Sequence, residues 1–138
     1  MKKISGYSGT PLSDKLGIKS GFVIRLINHP DYYFDLFSHL PGDLKISVDK
    51  KIKKDLIHYF SSTSAQLKKD IPFLRKEIVE NGIIWISWPK KASKIQTDVD
   101  ENLVRQVALE NGLVDVKVCA VDDTWSALKL VIPLKDRK

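Results

Sequence analysis

Cysteine is almost missing from this chain. Among 138 residues there is one, Cys119, so no internal disulfide can form and no pair of thiolates is available to hold a metal. That points to a reducing, cytoplasmic setting. Apolar runs are all far too short to cross a bilayer, so no membrane partner is expected. Behind Lys2 and Lys3 comes the polar stretch Ser5 to Thr10 instead of an apolar core, which argues against a targeting segment. Glycine is sparse, and no glycine-rich run precedes Lys90 to make a phosphate-cradling loop. Repeats, low-complexity tracts and linkers are lacking too, which leaves a single domain over residues 1–138.

Positive charge is what the chain has in excess. Lysine and arginine number 23 against 17 acids, a formal net charge of +6, which favours anionic partners. Five lysines crowd the stretch from Lys45 to Lys54, and Lys90, Lys91 and Lys94 form a second group. No arginine-rich or aromatic-interleaved RNA-binding motif accompanies them, so nucleic acid is a possible partner but not the favoured one. The oligomeric state is not legible.

Hydrophobic periodicity gives the order of elements. Thr10 is placed to cap a short helix with Pro11 at its first position and Gly17 as its stop. Phe22 to Ile27 is a β-branched apolar run and reads as a central strand. A short helix from Asp31 to His39, an edge strand from Leu44 to Val48 and a strand from Asp55 to Phe60 follow. Leu67, Ile71, Leu74 and Ile78 keep helical spacing from Ser64 onward, with a break or the start of a second helix expected at Pro72 and an end at Asn81-Gly82. Ile83 to Trp88 is the next strand. Asp98 and Glu101 make a capping-box pattern for a helix that carries Val99, Leu103 and Val107 and stops at Gly112. Val114, Val116, Val118 and Ala120 then alternate on one face, and Trp125 to Ile132 completes a hairpin. This pattern predicts a three-layer α/β fold, Rossmann-like, with a mixed, mostly parallel sheet and a C-terminal antiparallel hairpin.

The blocks Gly6-Tyr7-Ser8-Gly9-Thr10-Pro11-Leu12, Trp88-Pro89-Lys90-Lys91-Ala92-Ser93 and Leu113-Val114-Asp115-Val116-Lys117-Val118-Cys119-Ala120-Val121-Asp122, followed by Thr124-Trp125-Ser126, resemble a bacterial family of domains with no assigned activity. More distantly, the order of elements resembles the class I methyltransferase form of the Rossmann-like fold. Those enzymes place a glycine-rich turn after the first strand, where the backbone approaches S-adenosylmethionine, and a carboxylate after the second strand for its ribose. The matching positions here read Asn28-His29-Pro30-Asp31, without glycine, and Asp49. Pro30 also removes a backbone donor. No cofactor is therefore expected.

In open α/β sheets ligands lie beyond the carboxyl ends of the strands. Lys90, Lys91 and Ser93, following Trp88, would give an anion two ammonium groups, a hydroxyl and an adjacent indole. Tyr7, Ser8 and His29 are secondary contacts in the same reading. His29 is a residue type able to act as acid or base, but it has no identifiable nucleophile beside it. His58, mid-strand, reads as a satisfied core side chain, and Cys119 as a structural thiol. No catalytic or metal-binding set emerges. The expected function is a non-catalytic binding or regulatory domain for a small anionic ligand, such as a nucleotide or phosphorylated metabolite. The alternatives are a small enzyme using His29 or a lysine for acid–base chemistry, and a module that docks protein or nucleic acid on its basic face.

Overall fold

Six strands form one sheet in the computed structural model, which describes residues 10–138. They are β1 (Val23–Ile27), β2 (Lys45–Ile46), β3 (Lys54–Phe60), β4 (Ile78–Pro89), β5 (Val114–Ala120) and β6 (Trp125–Val131). The order across the sheet is β2-β1-β3-β4-β6-β5. The first four are parallel, and β6 runs antiparallel between β4 and β5. The expected mixed, mostly parallel α/β architecture is thus the observed one.

Alternation along the strands gives each face its own core. On one side Ile24, Leu56, Trp85 and Ala127 meet Leu12 and Leu16 of α1 (Leu12–Leu16) and Leu36 of a single 3-10 turn, Tyr33–Leu36. Trp85, fully buried, donates its indole N–H to the Leu16 carbonyl at 2.8 Å. On the other side Ile57, Tyr59, Ile84, Ile86 and Leu128 meet α2 (Ser64–Glu77) and α3 (Glu101–Glu110). Leu67, Ile71 and Leu74 of α2 lie on the apolar stripe that helical spacing predicts.

Several local expectations change. Pro11, not Thr10, is the N-cap of α1, and no side chain closes that cap. The helix expected from Asp31 shrinks to the 3-10 turn, and the edge strand to two residues. α2 runs through Pro72 without a break. The bond lost there belongs to the carbonyl of exposed Lys68, which water can satisfy.

α2 ends at Glu77, well before Asn81-Gly82, and β4 begins at once. Glu77 is buried between two cations: its Oε1 accepts from Arg25 Nη1 at 2.6 Å, and its Oε2 lies 2.8 Å from Lys54 Nζ. The register between β3 and β4 then slips, Lys54 facing Ile78 and Leu56 facing Ile83. Gly82 makes this possible, because a Cβ there would stand 2.9 Å from both Ile78 Cβ and the Val79 carbonyl.

In β5 a bulge between Asp115 and Lys117 breaks the expected alternation. Val116 and Val118 are exposed instead of sharing a core face. Asp115 turns to Arg105 of α3 at 3.0 Å, while Lys117 faces Lys129 across the hairpin.

Two stability outcomes follow. Glu77→Ala leaves buried Lys54 and half-buried Arg25 without their acid, and urea unfolding should register a loss of about 3–5 kcal/mol. An unchanged midpoint would mean that the pairing does not hold these elements together. Pro72→Ala restores a helical donor and should raise stability by up to about 3 kcal/mol in the same measurement.

Candidate functional site

Four parallel strands end on one edge of the sheet, and chain order reverses between β1 and β3. The crevice where such sheets place ligands is therefore between the carboxyl ends of these two strands. Asn28 stands at that point. Its φ of 58° is left-handed, a region that asparagine adopts more readily than most residues. Its Nδ2 donates to the Phe60 carbonyl at 3.2 Å, lacing the end of β1 to the end of β3. Beside it, exposed His29 sets its ring edge-on to Tyr33 and Phe34, with centroids 5.7 and 6.3 Å away.

Past the end of β2, Asp49 occupies a tight exposed turn. Its amide donates to Ser47 Oγ at 3.2 Å, and its Oδ1 accepts from the Lys51 amide at 3.0 Å. Lys54 Nζ donates to the carbonyls of Asp49 and Ile52, so a buried ammonium fixes this turn from below. The Asp49 carboxylate is thus held in a defined direction at the surface.

The basic loop after β4 is anchored by the Lys90 amide, which donates to the Thr124 carbonyl at 2.8 Å. Lys91–Ser93 forms one 3-10 turn. Ser93 Oγ donates to the Lys90 carbonyl at 2.6 Å and accepts from the Ile95 amide, so this hydroxyl builds the turn. Trp88, Pro89 and Lys91 line a cavity of about 240 Å³ that is shared with Thr97, Asp98 and Asp100. Trp88 belongs to the core on the α2–α3 side, whereas His29 packs against Tyr33 and Phe34 on the other. The fold therefore keeps Trp88 and Lys91 together but does not bring His29 to them. Tyr7 and Ser8 lie outside the described residues.

Asp98 shows what sequence reading missed. It does not cap α3; Asp100 does, accepting from the Leu103 amide at 2.9 Å. Asp98 instead accepts from both the amide and the hydroxyl of Ser64, at 2.7 and 2.6 Å, and so closes the start of α2. These two bonds draw its carboxyl below the usual range. The acid was visible, but its partner lies 34 residues away.

His58 is fully buried, as expected for a core histidine. Its Nδ1 is 2.9 Å from the Tyr33 hydroxyl and its Nε2 is 2.7 Å from Ser87 Oγ. A neutral ring has one donor and one acceptor nitrogen, so the two hydroxyls satisfy it. Phe60 stacks on it at 4.2 Å. Burial, and secondarily the nearby His29, depress its pKa to about 3. Cys119 is half-buried, and burial pushes its thiol up. Among the described residues, no group of three His, Cys, Asp or Glu is placed to hold a metal. None of their helices is long and apolar enough to cross a membrane.

No family model matches the chain, and no curated protein does. Solved structures do match. One is a SAM dependent methyltransferase from Aquifex aeolicus, with a TM-score of 0.63, 13% identity and 87% of each chain covered. Another is magnesium protoporphyrin IX methyltransferase from Synechocystis PCC 6803 with bound SAH, with a TM-score of 0.60, 10% identity, and 88% of this chain and 78% of that one covered. A third is the ribosomal protein L11 methylase of Lactobacillus delbrueckii subsp. bulgaricus, at 0.58 and 13%, covering 88% and 74%. At these identities the likeness establishes the fold, which is methyltransferase-like. It also overturns one expectation. These three neighbours are named as methyltransferases or a methylase, so the reading of a non-catalytic anion-holding domain gives way.

The buried histidine generates a pH dependence. The unfolded chain protonates His58 near 6.5, whereas the fold resists its protonation until about 3. Between those values the unfolded state binds the extra proton, so this contribution to stability is lost as pH falls, by at most about 1.4 kcal/mol per unit. Urea denaturation at decreasing pH should show a flatter profile for His58→Gln than for the wild type. Parallel profiles would refute the assignment.

Proposed function

We propose that this chain is an enzyme that transfers a methyl group from S-adenosylmethionine to a small acceptor, with the cofactor at the crevice between β1 and β3 and its ribose reaching the turn after β2. The observation that carries this reading is the left-handed turn at Asn28, within a fold shared with methyltransferases. A turn that the family makes with glycine closes here with asparagine. Two features of the donor set fit such a cofactor. Asp49 presents an exposed carboxylate past β2, a proper acceptor for two ribose hydroxyls. The crevice at Asn28 is the switch point of the sheet.

When bound, the cofactor would supply an electrophilic methyl group on a sulfonium. The remaining roles belong to the chain. Asp49 orients the ribose, pre-set by its own turn and by Lys54 below it. Asn28 holds the two strand ends at a fixed separation. His29, exposed beside the crevice, is the imidazole placed to take a proton from an acceptor. Its ring rests on Tyr33 and Phe34, which limit its swing.

Isothermal titration with S-adenosylhomocysteine tests this. The wild type should bind saturably, and Asp49→Ala should bind at least about tenfold more weakly, since each bond to a charged acceptor contributes about 1.5–3 kcal/mol. Absence of binding by the wild type, or equal affinity in the variant, would end the proposal.

A further inference from the structure

On the face of the sheet that carries α2, Arg25 and Ile27 of β1 stand beside Lys69, Phe73, Leu74 and Glu77 of that helix. A cavity of about 270 Å³ opens there. Ile27 and Leu74 contribute apolar walls, and Phe73 stands at the rim, 63% exposed. Arg25, Lys50 and Lys69 bring three positive charges to it.

Two carboxylates also line the groove, but neither is spare. Glu77 is engaged by Arg25 and Lys54. Asp70 Oδ2 accepts from the Tyr59 hydroxyl and from Gln66 Nε2, each at 2.7 Å. The side chains of Lys50 and Lys69, in contrast, have no ion pair or hydrogen bond with any described residue. Arg25 Nε is shut away from water and lacks an acceptor. The wall therefore sets three cationic side chains against two carboxylates, and Lys50 and Lys69 are the cations left without a partner among the described residues; Glu77 Oε2, 2.8 Å from Lys54 Nζ, makes no hydrogen bond.

We propose that this groove seats a small aromatic anion of the phosphomonoester class, as the acceptor substrate. Two free ammonium groups beside a guanidinium match a dianion. The apolar walls and the ring of Phe73 match a flat apolar body, which an inorganic ion would leave uncovered. In sequence, Ile27 immediately precedes Asn28 and Lys50 immediately follows Asp49, so the groove opens beside the crevice. The seat itself does not depend on methyl transfer; naming its occupant the acceptor rests on that reading.

Phenyl phosphate is the probe, titrated calorimetrically into the wild type, the double variant Lys50→Glu/Lys69→Glu, and Phe73→Ala. S-adenosylhomocysteine is titrated into each separately. All three positions are exposed, so the variants should keep the wild-type melting temperature. Phenyl phosphate should bind the wild type one to one and lose at least about tenfold in affinity on charge reversal. Phe73→Ala should abolish the preference for phenyl phosphate over inorganic phosphate. Equal affinity in the charge-reversed protein, or no saturable binding by the wild type, overturns the seat. Phenyl phosphate binding without any S-adenosylhomocysteine binding overturns the acceptor assignment and leaves the seat standing.

Discussion

One buried carboxylate organises this molecule. Glu77 is the last residue of α2, and it meets a cation from β1 and another from β3. An acid in the interior is tolerable only with such partners, so its pairing decides where the helix must stop. β4 starts from that point, slips register through Gly82, and then runs straight to Pro89. The same Lys54 that faces Glu77 also holds the turn of Asp49. A single charge cluster thus sets the helix end, the register of the central strands and the direction of a surface carboxylate.

Polar groups are divided between two tasks. Tyr33, His58 and Ser87 satisfy one another inside the first core, and their burial keeps them from reacting with anything outside. Asn28 and His29 follow β1 and Asp49 follows β2, all three exposed; Asn28 is tied to the Phe60 carbonyl, and Asp49 accepts from the Lys51 amide. A buried histidine with a depressed pKa is sometimes a sign of catalysis. In this protein the geometry separates that histidine from solvent, and the exposed one stands where ligands can reach.

Much of the fold was legible because burial leaves a local trace. Phe22 to Ile27 is a largely apolar, β-branched run whose place is the middle of a sheet, and Asp55 to Phe60 reads as a further strand. Leu67, Ile71 and Leu74 announce the covered face of α2. What stayed hidden was pairing over distance. Arg25 meets Glu77 across 52 positions, and nothing near either residue signals it. The candidate site was legible only as a place. Lys90 and Lys91 were located correctly beyond a strand end, but the occupation of Ser93 Oγ by its own turn is a matter of three-dimensional geometry. Absence of glycine after Ile27 spoke against the usual cofactor turn, yet asparagine can adopt the left-handed φ of 58° found there.

Asp98 has a mechanical meaning beyond capping. The segment from Lys90 to Asp100 is tied at one end to the Thr124 carbonyl and, through Asp98, to the first turn of α2. Thr97 adds a further tie, its hydroxyl donating to the Ser62 carbonyl at 2.7 Å. The basic loop and the start of the helix are therefore coupled like a latch and its strike plate. A displacement of the loop that carried Asp98 with it would withdraw the acceptor from Ser64, so the helix start is mechanically joined to the edge of the sheet.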